Sequence, residues 1–337
     1  MVSIPMAPAG INESDEKSSE QEERWFEAVA PEAMAGRRLD QVLAELFTDY
    51  SRSRLQQWVK EGKVTVDGKC LRPRDKLLGG ERIELRAQLE PDTRFEPEPI
   101  ELDIVYEDEA ILVINKPAGL VVHPAAGNWQ GTLLNALLHH HPGIAVVPRA
   151  GIVHRLDKAT TGLLVVAKTI EAQTSLVEQL QARSFTREYD AVVNGVLTGG
   201  GTVNAPIGRH PVDRKRMAVV QNGKPAVTHY RLAERFRAHT HIKVQLETGR
   251  THQIRVHMAH QRYPLVGDPV YGGRLRIPPA SGEALQQMLR RFGRQALHAS
   301  RLGLVHPVTG EYMEWTAPLP EDMQHLLEVL REDAQLV

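Results

Sequence analysis

The sequence predicts an α+β fold in two domains, a small one of two helices followed by a sheet and a larger mixed one. Helical spacing of apolar residues is prominent early in the chain, and alternating strand patterns dominate the remainder. Strands and helices do not alternate regularly in the larger part, which argues against a doubly wound parallel sheet. With 337 residues, the chain is long enough to bury a substantial core without disulfides.

Composition and proline placement divide the chain into segments. Residues 1–30 carry seven acidic and two basic side chains, so the remainder is mildly basic although the net charge is −1. A polar, acidic stretch with little to bury is typical of a disordered tail. We therefore expect these segments: an acidic disordered tail at 1–33, a small domain at 34–90, a proline-containing linker at 91–103, a large domain at 104–325 and a C-terminal tail at 326–337.

The small domain is predicted to contain two short helices and a hairpin. Leu39 and Leu43 share one helical face, and Ser51 is placed to cap a second helix with Trp58 on its apolar side. Alternating valines before Asp67-Gly68 indicate a tight turn between strands. Three basic side chains lie on or near the second helix: Arg52, Arg54 and Lys60. Charges of this kind usually mark only a solvated helix face.

The large domain has many short strand patterns and few helical ones. Thr132 is placed to cap a leucine-rich helix, and residues 170–182 have the spacing of another. Strands are expected at Ile111–Ile114, Ile152–Val153, Leu163–Ala167, 188–197, 226–236 and 241–247.

A polar connection, His154–Gly162, lies between two apolar strand-like segments. Polar residues in such a position usually face a cleft at the end of a sheet. Asp157 lies near Arg155, and a neighbouring cation favours the ionised form of a carboxylate. An ionised carboxylate can act as a nucleophile, a general base or a metal ligand. An isolated loop aspartate more often only bonds its own backbone, so this connection alone does not establish catalysis.

Several motifs spread over residues 104–320 are similar to those of one enzyme family. They are Asn115-Lys116-Pro117, Val122-His123-Pro124, His154–Asp157, Arg187–Ala191, Glu247–His257, Gly267–Gly272 and Ala296–Ala299. Together they resemble the RluA family of pseudouridine synthases, and the segments PxGLVVHPxxGN and GKPAVTHY resemble its RluD subgroup. The resemblance implies a catalytic domain with a mixed, mainly antiparallel sheet. It also implies conversion of uridine to pseudouridine in large-subunit ribosomal RNA, at clustered uridines of the helix 69 stem-loop.

The small domain resembles the RNA-binding module named after ribosomal protein S-four. The matching residues are Arg38–Asp40, Ser51–Leu55 and Val64–Gly68. The resemblance implies a small α/β domain whose second helix contacts RNA, with Arg38, Arg52, Arg54 and Lys60 as binding residues. In the large domain, a basic cluster could likewise follow the phosphate backbone, although a solvated loop explains it equally well: Arg209, Arg214, Lys215 and Arg216.

The family resemblance also implies roles for individual residues. Asp157 matches the catalytic aspartate, and Arg255 matches the arginine that pairs with it. Tyr189 matches the active-site tyrosine, which offers a flipped base a flat surface and a polar group. Arg155 matches an arginine linked to base extrusion. Whether Asp157 adds to the uracil ring or attacks the sugar stays open.

We expect no cofactor, because the isomerisation involves no redox change. We expect no metal, because His252, His257 and His260 lack the cysteines or acids that complete a ligand set. Cys70 is the only cysteine, and neither a secretory signal nor a membrane-length apolar run is visible, so we expect a cytoplasmic protein with no membrane partner. The expected partner is large-subunit ribosomal RNA or the assembling large subunit, bound by a monomer.

Two other functions remain open on the sequence. One is a non-catalytic RNA-binding factor for ribosome assembly that retains the synthase fold. The other is a carboxylate hydrolase such as a glycosidase, which usually needs two carboxylates across the scissile bond. The joint presence of Asp157, Tyr189 and Arg255 favours the synthase, and no second acid is paired with Asp157 in the sequence.

Overall fold

The computed structural model describes residues 23–47, 50, 52–88, 95–124, 129–213 and 216–336. The chain divides into two compact units, residues 1–90 and 91–337. Some of the predictions lie outside the described residues: those for residues 1–22, the Ser51 cap, Arg214 and Lys215.

The small unit has a three-stranded antiparallel sheet that shares its core with two helices. Its elements are β1 (Glu23–Val29), α1 (Leu39–Leu46), α2 (Arg52–Lys60), β2 (Val64–Val66) and β3 (Arg82–Gln88). The central strand is β3. Asp67 and Gly68 adopt φ values of 48° and 74°, and this tight turn lets Val66 and Lys69 exchange two backbone hydrogen bonds of 2.9 Å. Leu39, Leu55 and Ile83 are fully buried between the helices and the sheet.

Strand β1 shows that the predicted acidic tail is too long. Residues 23–29 pair along their whole length with β3, so the prediction for 1–33 is wrong from Glu23 onward. Ala30 is buried at the end of this strand. Glu27, one of the acidic residues assigned to the tail, accepts a hydrogen bond of 2.8 Å from Arg82 on the neighbouring strand.

The large unit is built on a nine-stranded sheet. Its strands are β4 (Ile104–Glu107), β5 (Ile111–Lys116), β6 (Thr161–Ala167), β7 (Thr186–Asn194), β8 (Gly201–Asn204), β11 (Val227–Arg235), β12 (His239–Leu246), β13 (Leu297–Val305) and β14 (Tyr312–Thr316). The order is β4-β5-β6-β13-β7-β12-β11-β8, with β14 beside β13. Among the described strands only β6 and β13 pair in parallel, which confirms the mixed, mainly antiparallel α+β fold.

A separate two-stranded hairpin and five helices complete the large unit. They are β9 (Ile207–Arg209), β10 (Met217–Val219), α3 (Leu133–His140), α4 (Ile170–Gln181), α5 (Gln253–His260), α6 (Glu283–Arg291) and α7 (Glu321–Ala334). Helix α3 begins after Thr132, whose hydroxyl caps it as predicted. No helix in the described part of the chain is long and apolar enough to cross a membrane.

Helix α7 contradicts the predicted C-terminal tail. Leu326 and Leu330 lie in one core with Leu285 of α6 and Val192 of β7. The prediction for 326–337 is therefore wrong as far as Ala334, because the leucines form one buried face of a helix.

The predicted linker and the predicted Ile152–Val153 strand also differ from the structure. The backbone N–H of Glu98 donates to Asn135 at 3.0 Å, so the end of the 91–103 segment belongs to the large unit. Ile152 makes only an isolated bridge to β6. It follows a short 3-10 turn in which Arg149 and Ala150 have positive φ, and this conformation prevents an extended strand there.

Candidate active site

The loop that carries Asp157 is attached to a buried lysine at the end of β5. Lys116 is 1% exposed, and its Nζ donates to the carbonyl oxygens of Pro117, Leu120 and Lys158 at 2.7, 3.0 and 3.1 Å. Burial lowers the pKa of Lys116 to about 7, although the charge of Asp157 opposes the shift. Three carbonyl acceptors match the three N–H donors of an ammonium group. Lys116 thereby fixes the backbone directly after Asp157.

Residues just before β13 hold the other end of the same loop. The Nη1 of Arg294 donates to the carbonyl of Ala159 at 3.2 Å, and the Nε2 of Gln295 donates to the hydroxyl of Thr160 at 3.0 Å. Because both contacts involve groups that are buried or partly buried, Asp157 is presented from a rigid loop.

Asp157 is paired with an arginine that is itself anchored by a second carboxylate. The Nη1 of Arg255 donates to Oδ2 of Asp157 at 2.9 Å, and Nε and Nη2 donate to Asp268 at 2.8 and 2.9 Å. Burial alone would lower the pKa of Arg255, but the two carboxylates outweigh it and raise that pKa. The two-point contact with Asp268 fixes the plane of the guanidinium and therefore the direction of its third N–H.

Tyr189 extends from the middle strand β7 into the same region. Its side chain is buried, and burial raises the pKa of its hydroxyl. The charge of Arg187 opposes this shift and that of Asp157 adds to it. Tyr189 therefore presents a neutral phenol within the electrostatic field of Asp157.

The second oxygen of Asp157 faces a histidine at the start of α5. The Nε2 of His252 lies 3.8 Å from Oδ1 of Asp157, and its Nδ1 lies 2.8 Å from the hydroxyl of Tyr271. That hydroxyl oxygen also accepts the N–H of Met217 at 2.9 Å, so its own proton is available to His252 Nδ1. A hydrogen bond accepted at Nδ1 fixes the tautomer that carries hydrogen on Nε2, on the side of Asp157. Burial lowers the pKa of His252, against the influence of Asp157.

These side chains line a cavity of about 590 Å³. The structure brings Asp157, Tyr189 and Arg255 together there, together with the exposed side chain of Arg155. The volume suits a nucleoside-sized group. An ionised carboxylate, a buried phenol and a fixed guanidinium around one cavity form a site able to attack and hold a planar base.

Comparison with known proteins identifies the family. Residues 110–260 match the RNA pseudouridylate synthase family, and residues 37–83 match the S4 domain. Ribosomal large subunit pseudouridine synthase D of Pseudomonas aeruginosa is 64% identical over 308 residues, which cover 91% of this chain and 96% of that protein. The chain belongs to the RNA pseudouridylate synthase family. The synthase is thus an enzyme with an N-terminal S4 domain, as the motifs predicted.

Other relatives agree with this assignment. The protein of the same name from Escherichia coli K12 is 62% identical over 307 residues, covering 91% of this chain and 94% of that one. The Xanthomonas campestris protein is 57% identical over 321 residues, covering 95% and 97%. Among solved structures, human RNA pseudouridylate synthase domain containing 4 aligns with a TM-score of 0.54 at 28% identity, covering 68% of this chain and 92% of that chain.

In the small unit of the synthase, two of the predicted RNA-binding arginines contact a buried carboxylate. Asp40 is fully buried, and Arg38 and Arg52 each donate to it, with a shortest distance of 2.7 Å from Arg52. Arg54 lies over the Trp58 ring at 5.4 Å, so its charge is held against the second helix. Lys60 is exposed at the end of α2. Arg38 and Arg52 therefore have a structural function whether or not they also bind RNA.

The two described residues of the basic cluster, Arg209 and Arg216, lie at the β9–β10 hairpin of the synthase. Arg209 is exposed at the end of β9. The guanidinium of Arg216 lies 5.3 Å from the ring centroid of Tyr271, whose hydroxyl accepts the N–H of Met217 and contacts His252. The hairpin is thereby connected to the cavity through Tyr271.

The predictions assigned no part to several residues that line the cavity of the synthase: Arg149, Arg183, Arg187, Arg250, His252 and Gln253. The sequence contained a signal for two of these residues, Arg187 and His252. Arg187 precedes Tyr189 by two positions on a strand, so alternation puts both on one face. His252 lies in the motif that contains Arg255, where it was considered only as a metal ligand.

His154, the first residue of the His154–Asp157 motif, is a partly buried group that contacts the backbone of β6. Its Nε2 accepts the N–H of Val165 at 3.1 Å, and burial lowers its pKa to about 3. In the described part of the synthase, no group of three or more His, Cys, Asp or Glu side chains could hold a metal ion.

Proposed function

We propose that the synthase converts uridine to pseudouridine in large-subunit ribosomal RNA, at clustered uridines of the helix 69 stem-loop. Relatives 57 to 64% identical over nearly their whole length are named ribosomal large subunit pseudouridine synthase D, which supports the substrate class. The subgroup motifs after β5 and at the start of β11 support the helix 69 stem-loop as the target. A cytoplasmic monomer acting on the assembling subunit fits this substrate.

The observation that carries the proposal is the arrangement of the two oxygens of Asp157. Oδ2 is held by Arg255 at 2.9 Å, whereas Oδ1 faces the cavity with His252 at 3.8 Å. We propose that Asp157 attacks a flipped-out uridine, either at the uracil ring or at the sugar carbon. The bond between C1′ and N1 breaks, the base turns and its C5 bonds to C1′. The proton on C5 is then lost, N1 gains a proton and Asp157 is released. The isomerisation involves no net oxidation or reduction and hence needs no redox cofactor. Arg255 holds the carboxylate of Asp157 in place for this attack.

Tyr189 and Arg155 take the remaining parts in this proposal. The buried ring of Tyr189 lines the cavity and offers a surface on which the extruded base stacks. We propose that its hydroxyl then helps to remove the ring proton after rejoining. Arg155 is exposed at the cavity, which suits a side chain that occupies the vacated stack or holds a phosphate.

The direct test incubates purified protein with large-subunit ribosomal RNA and with assembling subunits. Carbodiimide-dependent reverse-transcription stops should appear at uridines of helix 69 with the wild type. Asp157→Asn should bind the RNA and give no stops, and Asp103→Asn, a matched control whose exposed carboxylate contacts Asn115 at 2.9 Å, should keep full activity. Modification at other uridines only would overturn the helix 69 assignment. Binding without modification by the wild type would favour the assembly-factor alternative.

A further inference from the structure

A second arginine in the cavity, Arg187, differs from Arg255 in its surroundings. Arg187 and Tyr189 are two residues apart on β7, so both point to the same face of the sheet and both line the cavity. Arg187 is only 6% exposed, close to the 4% of Arg255. Both arginines are therefore almost fully buried.

The two arginines differ in charge compensation. Arg255 contacts two carboxylates, Asp157 and Asp268. Arg187 contacts no carboxylate among the described residues: its Nη2 donates to the backbone oxygens of Glu247 at 3.1 Å and Leu246 at 3.5 Å, and its Nε is buried without a partner. Burial lowers the pKa of Arg187, with only Tyr189 opposing. A buried cation without a counter-charge costs stability, and such a cost is typical of a functional position.

The chain also leaves room for this side chain. A Cβ at Gly249 would lie 3.0 Å from Nη1 of Arg187, which is tighter than most real contacts. The φ of Gly249 is outside the left-handed region, so the backbone does not itself require glycine there. A side chain at this position would press on the guanidinium of Arg187.

We propose that Arg187 is a catalytic residue that stabilises the negative charge that develops on uracil during the reaction. The inference rests on the proposed function. If Asp157 adds to C6, the π electrons of the ring move onto O4 as the new C–O bond forms. If Asp157 displaces the base from the sugar, the electron pair of the broken C1′–N1 bond stays on the ring and spreads to its oxygens. Either route places an anion beside Tyr189, where Arg187 supplies N–H donors and keeps its proton.

A phosphate is a less suitable ligand for Arg187. The base of a flipped nucleotide enters deepest, whereas its phosphates stay near the surface. Arg149 and Arg155 also line the cavity and are exposed, so they fit the backbone better. A carboxylate bound permanently to Arg187 would compete with the transient negative charge on the base. Its absence among the described residues therefore fits a guanidinium that binds this charge.

The first test measures single-turnover rates and RNA binding of Arg187→Met, which keeps the aliphatic stem and removes the charge. The rate constant should fall about 100- to 1000-fold, as for loss of one oxyanion donor, while Kd for RNA stays unchanged. Arg187→Lys should give an intermediate rate. Arg235→Met, on β11 of the same sheet and outside the cavity lining, serves as the control with a wild-type rate.

Stability separates a catalytic from a structural role. Arg187→Met removes an uncompensated charge, so its Tm should be no lower than that of the wild type, whereas Arg255→Met leaves two carboxylates unpaired and should lower Tm. A Tm loss in Arg187→Met equal to that in Arg255→Met would overturn the proposal. So would a higher Kd with a smaller salt dependence, which would indicate a phosphate contact.

Substrates with 2-thiouridine or 4-thiouridine at the target position probe the charge itself. Sulfur carries negative charge more readily than oxygen, so at least one thio substrate should shrink the rate defect of Arg187→Met. An unchanged defect on both would contradict the inference. An inactive wild type would overturn the proposed function instead, and an active wild type with an equally active Arg187→Met would overturn only the part assigned to Arg187.

Discussion

Arg255 has two carboxylate partners that differ in exposure. The side chain of Asp268 is fully buried, and that of Asp157 is 19% exposed. Asp268→Asn breaks a fully buried pair, so it should cost about 3–5 kcal/mol of unfolding free energy. It should also lower kcat, because the guanidinium that aims at Asp157 loses its anchor.

Denaturant unfolding and single-turnover assays check this prediction together. Asp157→Asn is the matched control, since it removes the partly exposed partner and should cost less stability while abolishing turnover. Equal stability losses in both variants would show that Asp268 is not the anchor of Arg255.

The neutral His154 predicts a pH dependence of stability. Burial lowers the pKa of His154 from the ordinary 6.5 to about 3 in the folded chain. Between these values the unfolded chain binds a proton that the folded chain excludes, so this contribution to stability falls as pH falls from 6.5 toward 3. His154→Gln keeps an acceptor for the Val165 N–H and cannot be protonated.

Urea unfolding at several pH values should therefore show the wild type losing stability relative to His154→Gln below pH 6.5. Parallel pH profiles for the two proteins would be inconsistent with an imidazole that stays neutral at this position.

Among single residues, the sequence predicted the site residues whose side-chain type within a motif indicates a catalytic role. Asp157, Tyr189 and Arg255 lie in motifs, and the structure brings all three to one cavity. Arg187 was quoted as part of a motif without a role, because its significance depends on the absence of a nearby carboxylate. Contacts between residues distant in the chain are needed to reveal such an absence.

Tyr271 is the contact between the β9–β10 hairpin and the cavity. Its hydroxyl accepts from the N–H of Met217 and lies 2.8 Å from His252. Tyr271→Phe keeps the ring that packs against Arg216 and removes both hydrogen bonds. We expect faster hydrogen exchange at the Met217 amide, and a lower turnover rate because His252 loses the partner that fixes its tautomer.

Exchange at the Met217 amide and 15N shifts of the His252 ring measure these two effects separately. Unchanged exchange and unchanged ring shifts in Tyr271→Phe would mean that the hairpin and the site are not connected through this hydroxyl.

Helix α2 offers a test of the predicted RNA contacts that separates binding from folding. Lys60 is exposed, whereas Arg52 donates to buried Asp40. Lys60→Gln should weaken RNA binding and reduce the slope of log Kd against log salt by about one, with Tm unchanged. Arg52→Gln should lower Tm as well. Arg72→Gln, exposed outside α2, should change neither.

Fluorescence titrations at several salt concentrations and thermal melts supply the readouts. If Lys60→Gln and Arg72→Gln have the same slope as the wild type, α2 does not contact phosphates through Lys60.

Helices and strands with a strong local pattern were predictable, and those defined by distant partners were not. Helix α4 (Ile170–Gln181) matches the expected 170–182 because its spacing and its Thr169 cap are local signals. Strand β1 exists because it pairs with β3, more than fifty residues further along the chain. Its acidic composition suggested a tail, since no local signal reports a partner so far away.

The two compact units of the molecule have separate sheets and separate cores. Strands β1, β2 and β3 form a sheet with no strand from the large unit. The core around Leu39 and Trp58 contains only residues of the small unit, and the cores around Leu176 and Leu326 contain only residues of the large one. Each unit thus has the hydrophobic core that independent folding needs.

Because each unit has its own core, deletion of residues 1–90 tests what the small unit contributes to RNA affinity and target selection. Residues 91–337 keep every described strand of the nine-stranded sheet and every residue of the cavity, so the fragment should melt cooperatively. It should bind large-subunit ribosomal RNA more weakly or modify the wrong uridines if the basic residues of the S4 domain contact RNA as we propose. Calorimetry and pseudouridine mapping beside the full chain distinguish the outcomes. A folded fragment with full affinity and unaltered sites would show that the catalytic unit selects its target alone, and an unfolded fragment would show that the two units depend on each other for stability.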